Sequence, residues 1–340
     1  MKQEKLRCGI AGFGKMGRLR AHYISQRSDV ELVGVYDLDD VSHNPHVGDF
    51  YFVKSFKELL SLKLDAIFIC SFNDVNAKYS IESLNSGIHV FCEKPPARNS
   101  IELLSVIQVE KKTNLVLQYG FNHREHYSII EAKKIITSGD LGKLLWIRGI
   151  YGKAGSIDYD SNWRNFKKYA GGGILIDQGI HMLDLYRHLT GLEFEVVDGL
   201  LTKSYWQTEV EDNAFITLRS GEIVATLHSS ANQWRHKFLL EMHFQEGYLV
   251  LDGILSESRS YAPETLVIGK REFEDISFAM GKPAETKTWY EYDDSWKREI
   301  EFFFNAIKSG NTKKLSSSSD ALKVMQLIEN IYSKSGFYNE

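Results

Sequence analysis

Residues 6–17, LRCGIAGFGKMG, decide the fold. "LRCGIA" is a short apolar run of strand character, "GFGKMG" is a glycine turn, and "MGRLRAHYISQ" (16–26) continues as a helix. Gly12, Gly14 and Gly17 stand at the spacing G-x-G-x-x-G. That spacing alone arises by chance in many chains, and its context gives it force. A second strand, "ELVGVYD" (31–37), follows the helix, and Asp37 closes it twenty residues beyond Gly17, where a dinucleotide-binding unit carries an acid.

Each part has a physical task. Gly12 permits the tight turn, Gly14 lets the backbone approach a pyrophosphate, and Gly17 lets helix and strand pack closely. The helix start offers N–H groups and a partial positive charge to the phosphates. Phe13, Lys15 and Met16 complete the turn and are read with it as cofactor contacts. Asp37 is expected to accept hydrogen bonds from ribose hydroxyls and to repel a 2′-phosphate, and "YDLDD" supplies no Arg or Lys to hold one. NAD is therefore expected in preference to NADP.

The alternation continues. "SFKELL" reads as a short helix, "LDAIFICS" as a strand, "VNAKYSIESLNSG" as a helix, then "IHVFCEKP", a helix over "SIELLSVIQVEKK", and the strand "NLVLQYGF". Apolar strands separated by helices predict a doubly wound parallel sheet, a Rossmann domain, over 1–122. Ligands of such sheets sit beyond the carboxyl ends of the strands, so Ser71, Phe72, Asn73, Glu93, Lys94 and Gln118 to Asn122 are expected to rim one crevice. Pro95 and Pro96 fix the direction of the chain after Lys94, and a lysine held there can donate to a substrate hydroxyl or simply extend to solvent.

Past residue 122 the period changes. After a helix near 124–138, strands dominate; in "FLLEMHFQ", Phe238, Leu240, Met242 and Phe244 face one way and Glu241, His243 and Gln245 the other. Residues 123–340 are read as an α+β domain with a large open-faced, mostly antiparallel sheet, closed by two amphipathic helices, "SWKREIEFFFNAIKSG" and "SDALKVMQLIENIYSKSG". Between the strand runs lies "GGGILIDQGIHMLDLYRHL" (171–189). Taken as a helix over 174–189, it lines up Asp177, His181, Asp184 and His188 in one stripe, with Leu175, Leu183, Leu185 and Leu189 elsewhere. Such a stripe is a solvated face or a site.

The 340 residues suit two domains. With 43% hydrophobic residues and a net charge of −4, the chain can bury a core and offers no basic footprint for nucleic acid or an anionic membrane. The start lacks the pattern of a signal peptide, and no apolar run reaches the ~18 residues of a membrane span, so a cytoplasmic protein is expected. Cys8, Cys70 and Cys92 lie in apolar segments and read as buried thiols. No His or Cys cluster has ligand spacing, and no metal is expected.

"GFGKMG", "SFNDVNAKYSIESLNSGIHVFCEKP", "QYGFNHR" and "WRNFKKYAGGGILIDQGIHMLDL", in that order with the closing pair of helices, resemble the Gfo/Idh/MocA oxidoreductases over nearly the whole chain. The resemblance implies NAD(P)-dependent dehydrogenases or reductases of sugars, cyclitols and nucleotide sugars, assembling as a homodimer or homotetramer through the second-domain sheet. It implies catalytic roles for Lys94, Asp177 and His181: His181 as general base, Asp177 orienting the substrate and supporting the imidazolium, Lys94 polarising the oxygen. Trp163, Arg164 and Asn122 match positions near the substrate. The GGG turn is expected to give close backbone approach to the cofactor crevice, Gly179 to let the helix pack tightly, and Asp184 and His188 to be structural.

The substrate is expected to be a nucleotide-linked or free sugar. "SSANQWRHKF" places Trp234, Arg235, His236 and Lys237 together, either to hold a diphosphate beneath a stacked ring or as a solvated strand edge. Two other functions fit the fold. A non-catalytic NAD-sensing regulator predicts loss of Lys94, Asp177 and His181, which are all present. A glycosidase using NAD for transient oxidation belongs to a group whose members are often exported.

Overall fold

A computed structural model describes residues 5–39, 50–156, 158–272 and 282–338. The chain divides into two compact units. In the first, β1 (Leu6–Ala11), α1 (Lys15–Ser25), β2 (Val30–Tyr36), β3 (Tyr51–Val53), α2 (Phe56–Leu60), β4 (Ala66–Ile69), α3 (Asn73–Asn85), β5 (His89–Glu93), α4 (Ser100–Glu110) and β6 (Leu117–Gly120) alternate. The strands form one parallel sheet in the order β3-β2-β1-β4-β5-β6, the order of dinucleotide-binding sheets. Its central strands are buried on both faces; all four residues of β4 are fully covered. Side chains begin two of the helices: Ser55 Oγ accepts from the Glu58 N–H at 3.1 Å, and Asn99 Oδ1 from the Glu102 N–H at 2.9 Å.

The second unit is built on α5 (Tyr127–Ser138), β7 (Leu144–Gly152), α7 (Ile180–Thr190), β8 (Glu195–Thr202), β9 (Asn213–Ser220), β10 (Ile223–Ser230), β11 (Lys237–Phe244), β12 (Gly247–Asp252), β13 (Glu264–Lys270) and β14 (Glu285–Tyr290); the single turn α6 (Lys167–Ala170), which follows β7 in the chain, groups mostly with the first unit. Eight strands lie in the order β14-β13-β12-β11-β7-β10-β9-β8, antiparallel except where β7 meets β10. The expected alternation in β11 holds, with Phe238, Leu240, Met242 and Phe244 buried. On that face α7 packs on β7, and α5 on β12 and β13. Leu145, Leu200, Phe215, Val224 and Trp289 are 45% to 60% exposed, and ring pairs Trp146/His243 and Phe215/His228 stack at 4.0 and 4.2 Å.

The chain closes with α8 (Ser295–Ser309) and α9 (Ser318–Ser335). Lys168–Gly171 and Trp296–Lys323 group with the first unit. The cause is aromatic packing: Phe303 lies 5.4 Å from Phe68 and 5.7 Å from Phe91, ring centre to ring centre, and Phe304 lies 5.8 Å from Phe68. The expected helix over 174–189 is not uniform. Leu175–Gly179 form a π-helical turn, and regular α geometry begins only at Ile180, so a 100° wheel does not hold across it. Likewise the helix expected near 124 opens as a 3₁₀ turn over Asn122–Glu125. No helix of the described residues is long and apolar enough to cross a membrane.

Candidate active site

The glycine turn of the first unit has the form its sequence implies. Gly12 sits at φ +90°, and a Cβ there would run into the Cys70 carbonyl; one on Gly17 would run into the Gly12 carbonyl. A Cβ on Gly14 would meet nothing within 4 Å. Gly14 precedes α1 with no side-chain cap, and the first turn carries no acid to repel an anion. At the end of β2, Asp37 accepts from the Phe13 N–H and, at 3.0 Å, from the Asp39 N–H. The acid is thereby fixed beside the turn, and a carboxylate so held retains lone pairs for ribose hydroxyls. These features fit a dinucleotide.

The carboxyl edge of the sheet is more internal than expected. Asn73 is buried and donates to the Ala170 carbonyl at 2.8 Å. Glu93 accepts from Arg20 at 2.8 Å; Arg20, fully buried and stacked 4.2 Å over Phe91, also reaches Glu299 at 2.7 Å. Burial acts to lower the Arg20 pKa, and the two carboxylates overcome it and hold the guanidinium charged. Gln118 is buried against the Glu299 carbonyl at 3.5 Å. Lys94 is half-buried at the end of β5; the Lys94–Pro95 bond is cis, and Asn76 donates to the Pro95 carbonyl at 3.0 Å. The exit of Lys94 is thus fixed from α3 as well as by proline. Ser71 is half-buried between β4 and α3.

In the second unit, Asp177 lies in the π turn between two cations: Lys153 Nζ at 2.5 Å and Arg164 Nε at 3.6 Å. Arg164 also stacks 4.4 Å over the Trp163 ring, and Asn162 accepts from its backbone N–H. His181 is buried, with its ring stacked 3.8 Å from His123 at an interplanar angle of 16°. His123 is oriented by Asn122 Oδ1 at 3.1 Å on Nδ1 and by the Tyr151 hydroxyl at 2.8 Å on Nε2. A carboxamide oxygen can only accept, so in this arrangement Nδ1 carries the proton and Nε2 accepts from Tyr151. Burial pushes the Tyr151 phenol well up, which keeps it a donor. Asn122, expected to meet substrate, is buried between His123 and Ser295, to which it donates at 3.2 Å.

Asp184 is buried and paired with Arg124 at 2.7 and 2.5 Å. The His188 carbonyl accepts from Lys133 at 2.6 Å near the end of α7. The residues of the expected single stripe have separate partners: Lys153 and Arg164 for Asp177, the His123 ring for His181, Arg124 for Asp184.

The turn leading into Asp177 is held by Glu211, which is buried. Its oxygens accept from the Gly173 and Leu175 N–H groups at 2.9 and 3.0 Å and from the Tyr332 and Tyr338 hydroxyls at 2.9 and 2.8 Å. Burial pushes this carboxyl above the usual carboxylate range, with the Tyr338 hydrogen bond first among the opposing effects. A Cβ on Gly172 would run into the Tyr332 hydroxyl, and one on Gly173 into Glu211. The close approach expected of the GGG turn is thus to the protein's own side chains. Gly179 does pack closely, its Cβ position lying 3.5 Å from Ser229 of β10.

Lys153, His123, Tyr151 and Glu211 were not singled out in the sequence. Lys153 follows β7 in an unremarked "GKAG", and only strand pairing brings it to Asp177. The "GFNHR" run held His123 in view, without any sign that it would stack on His181. The basic cluster resolves the other way: Lys237 pairs with Asp252 at 2.6 Å and His236 with Ser260 at 2.9 Å. Burial first, then Lys153, lowers the His236 pKa. Among the described residues no group of three or more His, Cys, Asp or Glu side chains is placed to hold a metal ion.

Residues 6–121 match the model of an oxidoreductase family with an NAD-binding Rossmann fold, and residues 129–250 match the GFO/IDH/MocA C-terminal domain. The chain is 31% identical over 199 residues to D-glucoside 3-dehydrogenase of Escherichia coli, a match spanning 56% of each chain. It is 24% identical to myo-inositol 2-dehydrogenase of Thermotoga maritima over 94% of this chain and 93% of that one. A solved structure titled levoglucosan dehydrogenase, complex with NADH and levoglucosan, superposes with a TM-score of 0.84 at 21% identity, over 98% of this chain and 97% of that one. With its parallel 3-2-1-4-5-6 sheet, fingerprint turn and eight-stranded second sheet, the chain belongs to the Gfo/Idh/MocA family of NAD-binding oxidoreductases.

Proposed function

We propose that this protein is a cytoplasmic, homo-oligomeric, NAD-dependent dehydrogenase of a sugar or cyclitol hydroxyl, with residues 1–122 serving the cofactor and 123–340 the substrate and assembly. The observation that carries this is the His181–His123–Tyr151 arrangement: a buried imidazole stacked on a second ring whose tautomer is fixed, on the element that also carries Asp177. Bound nicotinamide would supply the hydride acceptor for the carbinol carbon. His181 takes the hydroxyl proton, for which an imidazole with an ordinary pKa near ~6.5 is suited. Asp177, set between Lys153 and Arg164, orients the sugar, and Lys94 donates to the reacting oxygen. The Gly12–Gly17 turn and Asp37 hold the cofactor. The names of the relatives, D-glucoside and inositol dehydrogenases, support a sugar or cyclitol rather than a nucleotide-linked sugar. Exposed Leu200, Phe215 and Trp289 support assembly through the outer sheet face, and three cysteines outside any disulfide suit a reducing compartment.

The test is incubation with NAD and a panel of sugars and cyclitols while following reduced nicotinamide. His181→Asn and Lys94→Met should each lower turnover ~10²–10⁴-fold with NAD affinity retained. Near wild-type turnover in His181→Asn would remove it as the base, and glycoside cleavage without net NADH would make the protein a hydrolase.

A further inference from the structure

Outward from Asp177 runs a continuous series of aromatic side chains. Lys153 Nζ, paired with Asp177, lies 5.8 Å from the Tyr159 ring; Tyr159 packs at 4.7 Å on Trp206; Trp206 meets Tyr205 at 5.0 Å and Trp234 at 6.4 Å. Tyr205 and Trp234, 4.8 Å apart, are 57% and 60% exposed. Large apolar side chains exposed as a contiguous group mark a binding surface.

The surface is rigid before anything binds. Asp212 collects the backbone N–H groups of Ser204, Tyr205 and Trp206 at 2.7 to 3.0 Å. Trp206 Nε1 donates to the Ala231 carbonyl at 2.8 Å, and Lys153 is hydrogen-bonded through its backbone to Ser230 and Gln233. Gly155, at φ +75°, brings the chain against the Trp206 ring so closely that a Cβ would lie 2.5 Å from it. Preorganised aromatic faces need little ordering when a ligand arrives.

The geometry also narrows the ligand. Tyr205 meets Trp206 at 89° and Trp234 at 78°, which makes a corner; a flat nucleobase is best held in a parallel slot. Of the neighbouring basic groups, Lys237 pairs with Asp252 and His236 hydrogen-bonds Ser260, while Arg235 beside Trp234 is exposed, so the patch offers a diphosphate fewer cations than the sequence cluster holds. A pyranose or phenyl ring, apolar on its face and uncharged, fits such a corner.

We propose that Tyr205, Trp206 and Trp234 form a second subsite, which takes the aglycone or neighbouring ring of a glycoside whose sugar is oxidised at Asp177 and His181. The inference rests on the sugar dehydrogenase reading above. It makes the preferred substrate a glycoside with an extended, uncharged substituent.

The experiment compares methyl and phenyl glycosides of each sugar in the panel, by kcat/KM for NAD reduction and by calorimetric titration. The wild type should prefer the phenyl glycoside roughly tenfold, the size of one or two aromatic contacts. In Trp234→Ala and Tyr205→Ala this preference should collapse towards one, through KM rather than kcat. Absence of a wild-type preference, its persistence in both variants, or a change in molecular mass by light scattering without loss of the preference overturns the subsite; the last outcome assigns the patch to contacts between copies. Should no sugar reduce NAD, saturable calorimetric binding of a phenyl glycoside that is lost in Trp234→Ala upholds the subsite and refutes the dehydrogenase reading. No such binding in the wild type refutes the subsite.

Discussion

Two glycine-rich turns lie beside the residues proposed for cofactor and substrate, and they use glycine for different reasons. Gly12, Gly14 and Gly17 precede α1; Gly171, Gly172 and Gly173 precede the stretch bearing Asp177. In sequence they look alike. In the first, the space beside Gly14 is open to solvent, where the proposed cofactor would approach the backbone. In the second, the space beside Gly172 and Gly173 is filled by Tyr332 and Glu211, reached from α9 and from the loop that leads into β9. One turn is hollow and the other is packed. A glycine pattern reports that a side chain is excluded and leaves open what excludes it.

The difference can be broken by adding a methyl group to either turn. Gly173→Ala should have the largest effect: Glu211 must move, the Asp177 turn shifts with it, and turnover should fall by about 10²-fold, the scale of an ångström of misplacement. NAD affinity, measured separately by fluorescence, should be retained, and a parallel loss of both would show that the two turns are not independent. Gly17→Ala presses on the Gly12 carbonyl and should destabilise the protein by ~1–3 kcal/mol in thermal or urea unfolding. In Gly14→Ala the fold should be untouched, within ~0.5 kcal/mol, while NAD binding weakens about tenfold, near 1.4 kcal/mol. Equal stability losses at positions 14 and 17 would contradict the hollow turn.

The smallest effect sharpens the packed turn. Tyr338→Phe removes one hydrogen bond to Glu211 and should cost about 0.5–1.5 kcal/mol. Its signature is in the pH dependence. Glu211 has a raised pKa in the folded protein, so the folded state holds this proton more tightly than the unfolded one. Its contribution to stability is greatest below the unfolded value near ~4.3 and declines as pH rises towards the folded value. Loss of the Tyr338 hydroxyl, which opposes the shift, should extend that decline to higher pH in urea titrations. Glu264 should behave inversely: burial acts to raise its pKa, but hydrogen bonds from His126, Ser128 and Leu255 hold it down, so its stabilisation is lost as pH falls.

The first unit was legible because its determinants are local. Strand, glycine turn, helix and Asp37 fall within 32 consecutive residues, 6–37, and each is recognisable from residue type alone. The second sheet was legible from the period-2 pattern of β11. The surroundings of Asp177 and His181 were not, because they come from residues far apart in the chain: Lys153 from the end of β7, His123 from a 3₁₀ turn, Glu211 from a loop. Glu93 and Gln118 were placed at the crevice by their position at strand ends, yet Arg20 and α8 draw both inwards. Position on a strand fixes where a residue emerges, and its partners decide which way it serves.

The π turn at Leu175–Gly179 makes chain length, rather than residue type, the carrier of information at this point. Removing Gln178 or Gly179 from it would leave enough chain for an ordinary α-helical turn and would turn Asp177 about the helix axis relative to His181. The resulting helix would have better backbone geometry and a more regular amphipathic pattern than the natural one. Substitutions across 175–179 would not reveal this, since none alters the spacing. If Asp177 and His181 act together as proposed, a deletion here should lower turnover by more than it lowers the melting temperature, and equal losses in both would tie the turn to folding instead.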